Sequence, residues 1–495
     1  MTGNPAINKR VLFVNPAKEN GYYADRIHMG FSLLGQILLE SGCQVKVVDY
    51  SFLKSIESET MTIPQIEDII KDFKPDVIGI SIFSYLYDES QKMIEQVVRC
   101  CNTPIIVGGP HVTLFPEDFS NDTRVSYIVR GEAEAIITTL VNSATRELSP
   151  VLINSPVPTP EQIPAINLDI VHESRHLRNY QIQLSRGCPF NCSFCTIDSI
   201  AGRKMRARDL DYCLDQVVEA KRRYPNIQCI AITDDCPTFN GERFKEFLNK
   251  IAERRVDAFL TVDNMRADLI DEEMLQLYIK AGGQNICLGV ESADPEVFKM
   301  VHKGESLDKI IYAAKLVHKY NLQLGLCFVI GLPGDTLEKH RESVKLTKKL
   351  KADYIFWNVC VPWPGTEVYE WFKKNGKIGD IRNFSPLIDS KINFKDPPAE
   401  SNIFKKEDIV KAWLTANMET CNIPIIALRN ARTIPAFMLR LLYLTRRYNL
   451  YKSSFIFIWK LFTSKLWFEI KKRLKVYMWK RRREKLAKNI LLRTP

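Results

Sequence analysis

The chain has 495 residues, 45% of them hydrophobic and 26% charged, which fits a globular protein with real hydrophobic cores. Its N-terminus carries no apolar signal segment, so the sequence predicts no secretion or import address and a cytoplasmic location. The 13 cysteines are odd in number and scattered, which argues against a disulfide framework.

The positive charge is concentrated near the C-terminus. The net charge is +11, yet residues 431–495 alone hold 18 Lys and Arg against two Glu. The rest of the chain is therefore slightly acidic, which is ordinary for an enzyme body. Any function of the basic excess belongs to this C-terminal segment.

Residues 8–146 alternate short β-rich runs with helical patterns and are predicted to form one domain. The strand candidates are almost continuously apolar, as expected of strands buried on both faces of a sheet. This alternation predicts an α/β fold with a doubly wound parallel sheet of Rossmann or flavodoxin type, whose ligands bind beyond the carboxyl ends of the strands. The predicted strands are 11–15, 45–49, 76–81, 104–109 and 127–131, and the predicted helices are 30–41, 64–73, 87–99 and 131–143.

A second alternation of strands and helices follows a linker. Residues 147–176 are rich in proline and are predicted to connect the two domains. Residues 177–398 contain six βα units, which predict a partial (β/α)6 barrel of TIM type rather than the standard eight units. Residues 399–495 are predicted to form a helical extension that ends in a basic, aromatic tail. The barrel strand candidates are 180–185, 229–235, 258–264, 285–292, 324–332 and 354–362.

A cluster of cysteines follows the first barrel strand directly. The stretch SRGCPFNCSFC places Cys188, Cys192 and Cys195 in a C-x3-C-x2-C spacing. Barrel enzymes work at the C-terminal ends of their strands, so the cluster lies on the working face. Three thiolates on one loop can bind three irons of a [4Fe–4S] cluster and leave the fourth iron open. Structural cysteines or a three-thiol zinc site are the alternatives, although no second cysteine pair or nearby His completes a four-ligand zinc site.

The sequence around and after this cluster resembles the radical SAM superfamily. In that superfamily the open iron chelates S-adenosylmethionine, and one electron cleaves the C–S bond to give a 5′-deoxyadenosyl radical. The similar stretches are MRARD (205–209), ITDDCP (232–237), GVES (289–292), IGLPGDT (330–336) and PWPGTEVYE (362–370).

The resemblance implies a set of cofactor contacts but no identified catalytic acid or base. The three cysteines would bind the [4Fe–4S] cluster. The expected contacts to S-adenosylmethionine are Phe194, Arg208, Thr233, Asp234, Asp235, Glu291, Ser292 and Gly331.

The N-terminal domain resembles the cobalamin-binding domain that precedes the radical SAM core in one large subgroup. Small residues at strand ends let a backbone approach a bulky ligand, and Ser81, Gly108 and Gly109 are the expected cobalamin contacts. A structural sheet without cobalamin is the alternative. The similar stretches are MGFSLLGQILLESG (29–42), GISIFS (79–84), VGGPHV (107–112) and VRGEAE (129–134).

One departure from the cobalamin pattern concerns the cobalt ligand. Many cobalamin domains ligate cobalt through the His of an Asp-x-His-x-x-Gly loop. DRIHMG (25–30) has one residue too many between Asp and His. We therefore expect that His28 is not a cobalt ligand. His111, in the VGGPHV stretch, is expected to make a hydrogen bond at the strand end.

The tail 455–483 has the pattern of an amphipathic helix. Trp459, Phe462 and Leu466 begin an apolar stripe at helical spacing, and lysines lie largely off it. Lys460 and Lys465 interrupt the apolar run, so no spanning helix of about 20 apolar residues is available. This composition favours contact with an anionic membrane surface. Packing on the enzyme itself and RNA binding are the alternatives, in that order.

These features together predict a cobalamin-dependent radical SAM methyltransferase. It would take a hydrogen atom from an unactivated carbon and methylate a hydrophobic or lipid-like small molecule. The alternatives are a cyclase of the anaerobic magnesium-porphyrin type without methyl transfer, and a non-enzymatic zinc-binding or nucleic-acid-binding protein. The expected partners are the substrate, an electron donor such as flavodoxin or ferredoxin, and the inner membrane surface as a peripheral contact. Nucleic acid is not an expected partner.

Overall fold

A six-stranded parallel sheet forms the first domain, with strand order β2-β1-β3-β4-β5-β6. Its inner strands are apolar on both faces, and residues such as Val11 and Ile78 have no exposed surface. The computed structural model describes residues 8–18, 25–57, 62–382 and 396–420. The strands are β1 (Arg10–Asn15), β2 (Gln44–Asp49), β3 (Val77–Ser81), β4 (Ile105–Gly108), β5 (Tyr127–Arg130) and β6 (Val151–Asn154).

The five predicted strands are confirmed to within one residue at each end, but the sixth lies in the predicted linker. β6 pairs in parallel with β5 from Tyr127↔Val151 to Arg130↔Asn154. It is an edge strand held by its backbone ladder, and Leu152 is 50% exposed. Its apolar run, VLI at 151–153, is only three residues long and stands among prolines, which is why the sequence favours a linker there.

Six more parallel strands form the partial barrel, as predicted. They make two three-stranded sheets, β11-β10-β7 and β12-β13-β14, which the bridges Leu260↔Gly283 and Met265↔Leu288 join. The predicted strands run one to three residues too far at their carboxyl ends. The strands are β7 (Asn179–Ile182), β10 (Cys229–Ile232), β11 (Phe259–Val262), β12 (Asn285–Glu291), β13 (Gln323–Ile330) and β14 (Tyr354–Val359).

Four short strands complete the described part of the chain, and they pair in antiparallel. β8 pairs with β9 next to the cysteine loop, and β15 pairs with β16 beyond the barrel. They are β8 (Ser185–Arg186), β9 (Arg206–Ala207), β15 (Gly376–Ile378) and β16 (Ala399–Ser401).

The helices between the strands begin at polar capping residues. Asp209, Asn240, Asp271, Ser306 and Thr336 each accept a hydrogen bond from a backbone N–H of the following first turn. The helices are α1 (Met29–Glu40), α2 (Tyr50–Ser55), α3 (Ile66–Phe73), α4 (Tyr87–Cys100), α5 (Pro110–Leu114), α6 (Ile137–Ser143), α7 (Ile197–Ile200), α8 (Leu210–Arg223), α9 (Gly241–Glu253), α10 (Glu272–Lys280), α11 (Pro295–Met300), α12 (Leu307–Lys319), α13 (Leu337–Leu350), α14 (Glu367–Asn375) and α15 (Lys406–Glu419).

The predicted C-terminal extension is described only as far as residue 420. α15 and β16 belong to it, and the basic tail at 455–483 lies outside the described residues. Within the described residues, no helix combines the length and the hydropathy needed to cross a membrane.

The loops beyond the carboxyl ends of both sheets contact each other. Arg26, after β1, donates to Asp263, after β11, at 2.8 Å. Arg382 donates to both carboxylate oxygens of Asp118 at 2.6 Å. The two edges at which parallel sheets bind ligands therefore face one another.

A buried ionic cluster lies at this domain interface. Arg186 Nη1 lies 2.6 Å from carboxylate oxygens of Glu132 and Glu134, and Arg206 pairs with Glu132 as well. All four side chains are at most 11% exposed. Buried charges are tolerated only when they are paired, so these residues fix how the two edges meet.

We expect Arg186→Met to lower the free energy of unfolding by about 3–5 kcal/mol, because it leaves the buried Glu134 carboxylate without its partner and Glu132 with Arg206 alone. Chemical denaturation of the apoprotein measures this change. Arg222→Met, which removes the exposed Arg222–Glu219 pair, is the control and should leave the unfolding midpoint unchanged. Equal effects of the two substitutions would contradict a structural role for the buried cluster.

Candidate active site

The cysteine loop starts from a segment that two aspartates hold. Asp234 accepts hydrogen bonds from the Leu184 backbone N–H at 2.7 Å and from the Ser185 hydroxyl at 2.6 Å. Asp235 accepts from the Gly187 backbone N–H at 2.7 Å. Both aspartates follow β10, so the neighbouring strand sets the position at which the loop begins.

Glycine is required at the start of this loop. Gly187 has φ +91°, and a Cβ there would overlap the carbonyl oxygen of Lys204. Further along, Ser193 donates through its N–H to Val301 O and through its hydroxyl to Met300 O, both at 2.8 Å. Phe194 packs against the apolar cluster that includes Val301. The loop is thus anchored before and between its cysteines.

The three cysteine thiols are free, and their environments differ. A hydrogen bond from the buried Cys236 thiol lowers the pKa of Cys188 to about 6. Burial raises the pKa of Cys192 to about 11 and also raises that of Cys195. Within the described residues, no three His, Cys, Asp or Glu side chains close around a single point as ligands of one ion do. Three thiols on one loop are a donor set of the kind that iron–sulfur clusters use, in which each thiolate binds its own iron.

A buried array of charges lies next to this loop. The Arg266 guanidinium stacks on the Phe190 ring, 3.5 Å from its centroid, and donates to the Lys303 carbonyl at 2.7 Å. Lys303 Nζ lies 3.1 Å from a carboxylate oxygen of Glu291 and 3.1 Å from one of Glu305. Burial alone would lower the pKa of Lys303, but the two carboxylates raise it above its ordinary value. Lys303 is therefore a buried cation.

Glu291 has the backbone geometry of a functional site. It ends β12 at φ +64°, a conformation that costs a non-glycine residue energy, and a register shift relative to β13 accompanies it. Its side chain is 10% exposed. Strain of this kind persists where the surrounding structure enforces it, which agrees with the predicted role of Glu291 in binding a cofactor.

Some predicted contact residues also have partners within the protein, and their contacts with S-adenosylmethionine stay predictions. Asp234 and Asp235 hold the loop as described above, and the Thr233 hydroxyl lies 3.5 Å from Ile182 O. Arg208 donates to backbone carbonyls of Gln183, Ile163 and Pro164 at 2.8–3.3 Å. Arg208 therefore stabilises the segment between the two domains at Ile163 and Pro164, and its contact with S-adenosylmethionine stays a prediction.

Ser292 and Gly331 lie at the carboxyl ends of neighbouring strands. The Ser292 hydroxyl accepts from the Asp294 N–H at 3.2 Å. Gly331 has φ +82°, and its N–H donates to Asp335 at 2.9 Å. Burial raises the pKa of Asp335 to about 7. Both residues lie on the same barrel edge as Glu291.

The expected cobalamin contacts meet at one edge of the first domain. Gly109 has φ +101°, and a Cβ there would lie 2.8 Å from Ser81 Oγ and 3.0 Å from the Ile82 backbone. Gly108 ends β4 beside Ser81, which ends β3. The protein's own packing therefore requires glycine at position 109, whereas a Cβ on Gly108 would meet its nearest atom only at 3.7 Å. Contact of this edge with cobalamin stays a prediction.

His28 has both ring nitrogens engaged. Nδ1 accepts from the Phe31 N–H at 3.1 Å, so the ring proton is on Nε2, which lies 2.8 Å from Ser81 Oγ. Burial lowers the pKa of His28 to about 4. Both ring nitrogens of His28 are therefore bonded within the protein, and the expectation that His28 does not ligate cobalt stays a prediction. His111 likewise bonds Ser84 at 3.0 Å and Asp118 at 3.1 Å.

Sequence reasoning missed the buried charged residues beside the cysteine loop. Arg266, Lys303 and Glu305 were assigned no role, and Glu132 was noted only as part of a similar stretch. Glu132 and Arg266 could have been found by position, since they closely follow the predicted strands 127–131 and 258–264, but Lys303 and Glu305 carry no such signal. Nothing in the sequence says which charged loop residues are buried and paired.

Two family models match the chain in the order of its domains. Residues 22–141 match the B12 binding domain, and residues 182–347 match the Radical SAM superfamily. These matches favour an enzyme over the zinc-binding or nucleic-acid-binding alternative.

Curated relatives span most of the same region. An uncharacterised methyltransferase of Pyrococcus horikoshii is 28% identical over 71% of this chain and 79% of its own length. An anaerobic magnesium-protoporphyrin IX monomethyl ester cyclase of Rubrivivax gelatinosus is 24% identical over 65% of this chain and 62% of its own length. The chain is thus similar both to a named methyltransferase and to a named cyclase.

The fold also resembles a solved structure. The radical S-adenosylmethionine methyltransferase TsrM from Kitasatospora setae, with cobalamin and a [4Fe–4S] cluster bound, aligns with a TM-score of 0.59 at 18% identity. The alignment covers 73% of this chain and 77% of that one. This likeness confirms the predicted arrangement of a parallel-sheet domain followed by a partial barrel.

The buried Asp234 predicts a pH dependence of stability. Burial raises its pKa from the ordinary 3.8 to about 7, so its contribution is complete below pH 3.8 and is lost as the pH rises to about 7. In apoprotein denaturation, wild type should lose stability relative to Asp234→Asn between about pH 4 and 7 and run parallel to it above that range. The exposed substitution Asp308→Asn is the control. A pH-independent difference between wild type and Asp234→Asn would refute the assignment.

Proposed function

We propose that this chain, a radical SAM enzyme with an N-terminal B12 binding domain, transfers a methyl group to an unactivated carbon of a hydrophobic small molecule. The proposal rests on one observation: the carboxyl edge of the barrel and the carboxyl edge of the N-terminal sheet face each other. The anchored cysteine loop lies at the carboxyl edge of the barrel, and the glycine-lined edge at Ser81 and Gly109 belongs to the facing sheet. Buried ion pairs hold these two edges together.

Each group of site residues has a separate role in this proposal. Cys188, Cys192 and Cys195 hold the [4Fe–4S] cluster, and Glu291 orients S-adenosylmethionine. Gly108 and Gly109 admit cobalamin to the strand ends. When bound, the cluster and S-adenosylmethionine supply hydrogen-atom abstraction, and cobalamin supplies the methyl group. An electron donor of the flavodoxin or ferredoxin type completes the system.

A cyclase without methyl transfer is the second candidate. The 24% identity to the magnesium-protoporphyrin ester cyclase favours it, because that similarity extends over 65% of this chain. The two functions share the cluster, its anchored loop and the hydrogen abstraction. They differ in whether a carbon from the methyl group of S-adenosylmethionine appears in the product.

Anaerobic reconstitution with iron, sulfide and cobalamin tests the proposal. We expect 5′-deoxyadenosine and a lipid-soluble product that carries label from methyl-labelled S-adenosylmethionine when a host lipid extract is present. Cys192→Ala should lose iron and both products. Gly108→Ala should keep its iron and its fold, since the added Cβ would meet its nearest protein atom at 3.7 Å, but should lose cobalamin that approaches the strand end closely. Unlabelled product together with 5′-deoxyadenosine would favour the cyclase instead.

The sequence of the tail supports a peripheral contact with the cytoplasmic face of a membrane. Residues 431–495 combine 18 basic residues with an apolar stripe, and anionic lipids attract such segments by about 1 kcal/mol per basic residue near the surface. We expect deletion of residues 431–495 to abolish sedimentation with phosphatidylserine-containing vesicles, while neutral vesicles bind neither form. Undiminished binding of the truncated protein would argue against the membrane contact.

A further inference from the structure

Gly289, Glu291 and Lys303 form one packed unit at the carboxyl end of β12. Lys303 Nζ donates to the Gly289 carbonyl at 2.5 Å and to Glu291 Oε1 at 3.1 Å. Lys303 lies three residues beyond α11, so this contact joins a loop to the irregular end of the strand. The lysine side chain is 9% exposed, and water does not compete effectively for it.

This unit requires glycine at position 289 for reasons of space. A Cβ on Gly289 would overlap Glu291 Oε1 and would lie 2.7 Å from Lys303 Nζ. The backbone of Gly289 is not in the left-handed region, so conformational freedom is not the reason. Because position 289 has no side chain, the Lys303 ammonium group has room to contact the Glu291 carboxylate.

The contact uses one oxygen of Glu291 and leaves the other available. Oε1 accepts the bond from Lys303, and no described residue donates to Oε2. Because Glu291 holds a strained φ of +64°, its direction depends on its surroundings rather than on backbone preference. Lys303 is the charged partner that fixes the carboxylate.

The charge of Lys303 is balanced without any bound cofactor. Glu305 provides a second carboxylate at 3.1 Å, and Arg266 lies 3.6 Å from the other oxygen of Glu305. The Arg266 guanidinium also stacks on the Phe190 ring, so the array of charged residues contacts the cysteine loop. The array is therefore preorganised, and loss of the Glu305 partner would leave the Lys303–Glu291 bond in place.

We propose that Lys303 is a positioning residue that fixes the Glu291 carboxylate so that its second oxygen accepts a hydrogen bond from bound S-adenosylmethionine. The inference rests on the proposed function, since it deepens the role of Glu291 in the same site. A buried ion pair with only a structural role would affect folding but not cofactor affinity.

The test measures S-adenosylmethionine binding to anaerobically reconstituted full-length protein of matched iron content. Lys303→Met should raise the dissociation constant about tenfold or more, the loss typical of removing an outer-shell partner. It should also reduce the change that S-adenosylmethionine causes in the electron paramagnetic resonance spectrum of the reduced cluster. Gly289→Ala should act in the same direction, and Lys303→Arg should restore part of the affinity.

Glu305→Gln is the matched control, because it removes the other buried carboxylate of the array. We expect it to lower the unfolding midpoint while its affinity for S-adenosylmethionine stays near that of wild type. Gly241→Ala, whose Cβ meets its nearest neighbour at 3.7 Å, controls for glycine replacement.

Wild-type affinity and an unchanged spectral response in Lys303→Met would overturn the inference while leaving the proposed function intact. Equal losses of affinity in Lys303→Met and Glu305→Gln would also overturn it, since they would show a general effect of the array. A wild-type protein that holds no cluster would overturn the proposed function, and the inference with it.

Discussion

The burial of Glu132 between Arg186 and Arg206 is the constraint on which the arrangement of the site depends. A buried carboxylate without a partner costs several kcal/mol, so the strand end of the first domain that carries Glu132 must meet the barrel segment that carries the arginines. Arg186 stands two residues before Cys188 in the sequence. The interdomain contact therefore fixes the start of the cysteine loop relative to the glycine-lined edge of the facing sheet.

The loop is held by the protein as well as by any metal it binds. Asp235 fixes Gly187, Ser193 bonds the backbone at Met300 and Val301, and Arg266 stacks on Phe190. These contacts act on residues before and between the cysteines, so they order the backbone without using the thiols. A preorganised loop loses less conformational entropy when it binds a cluster, which favours assembly.

The sequence predicts the fold well and the site in part. Buried strands such as Val77–Ser81 reveal themselves by continuous apolar runs, whereas β6 pairs through its backbone and leaves Leu152 half exposed. The cysteine spacing identifies the loop, and Glu291 stands out as a carboxylate on an apolar strand. The partners of Asp234, Arg208 and Lys303 depend on which loops meet in space, and local patterns do not contain that information. From the sequence alone, an aspartate at a strand end is therefore equally consistent with a cofactor contact and with a residue that holds a neighbouring loop.

Under the proposed function, the paired side chains on the barrel strands favour substrate binding beyond the strand ends. Side chains of these strands pair with each other: Asn285 on β12 donates to the Tyr354 hydroxyl on β14 at 2.9 Å, and the Cys287 and Cys327 sulfurs of the adjacent β12 and β13 lie 3.3 Å apart. Groups that are paired in this way gain nothing from contact with an apolar molecule, and separating them would cost the hydrogen bond. Under the proposed function, substrate selection therefore falls to loop residues beyond Glu291, whose replacement need not disturb the paired side chains of the strands.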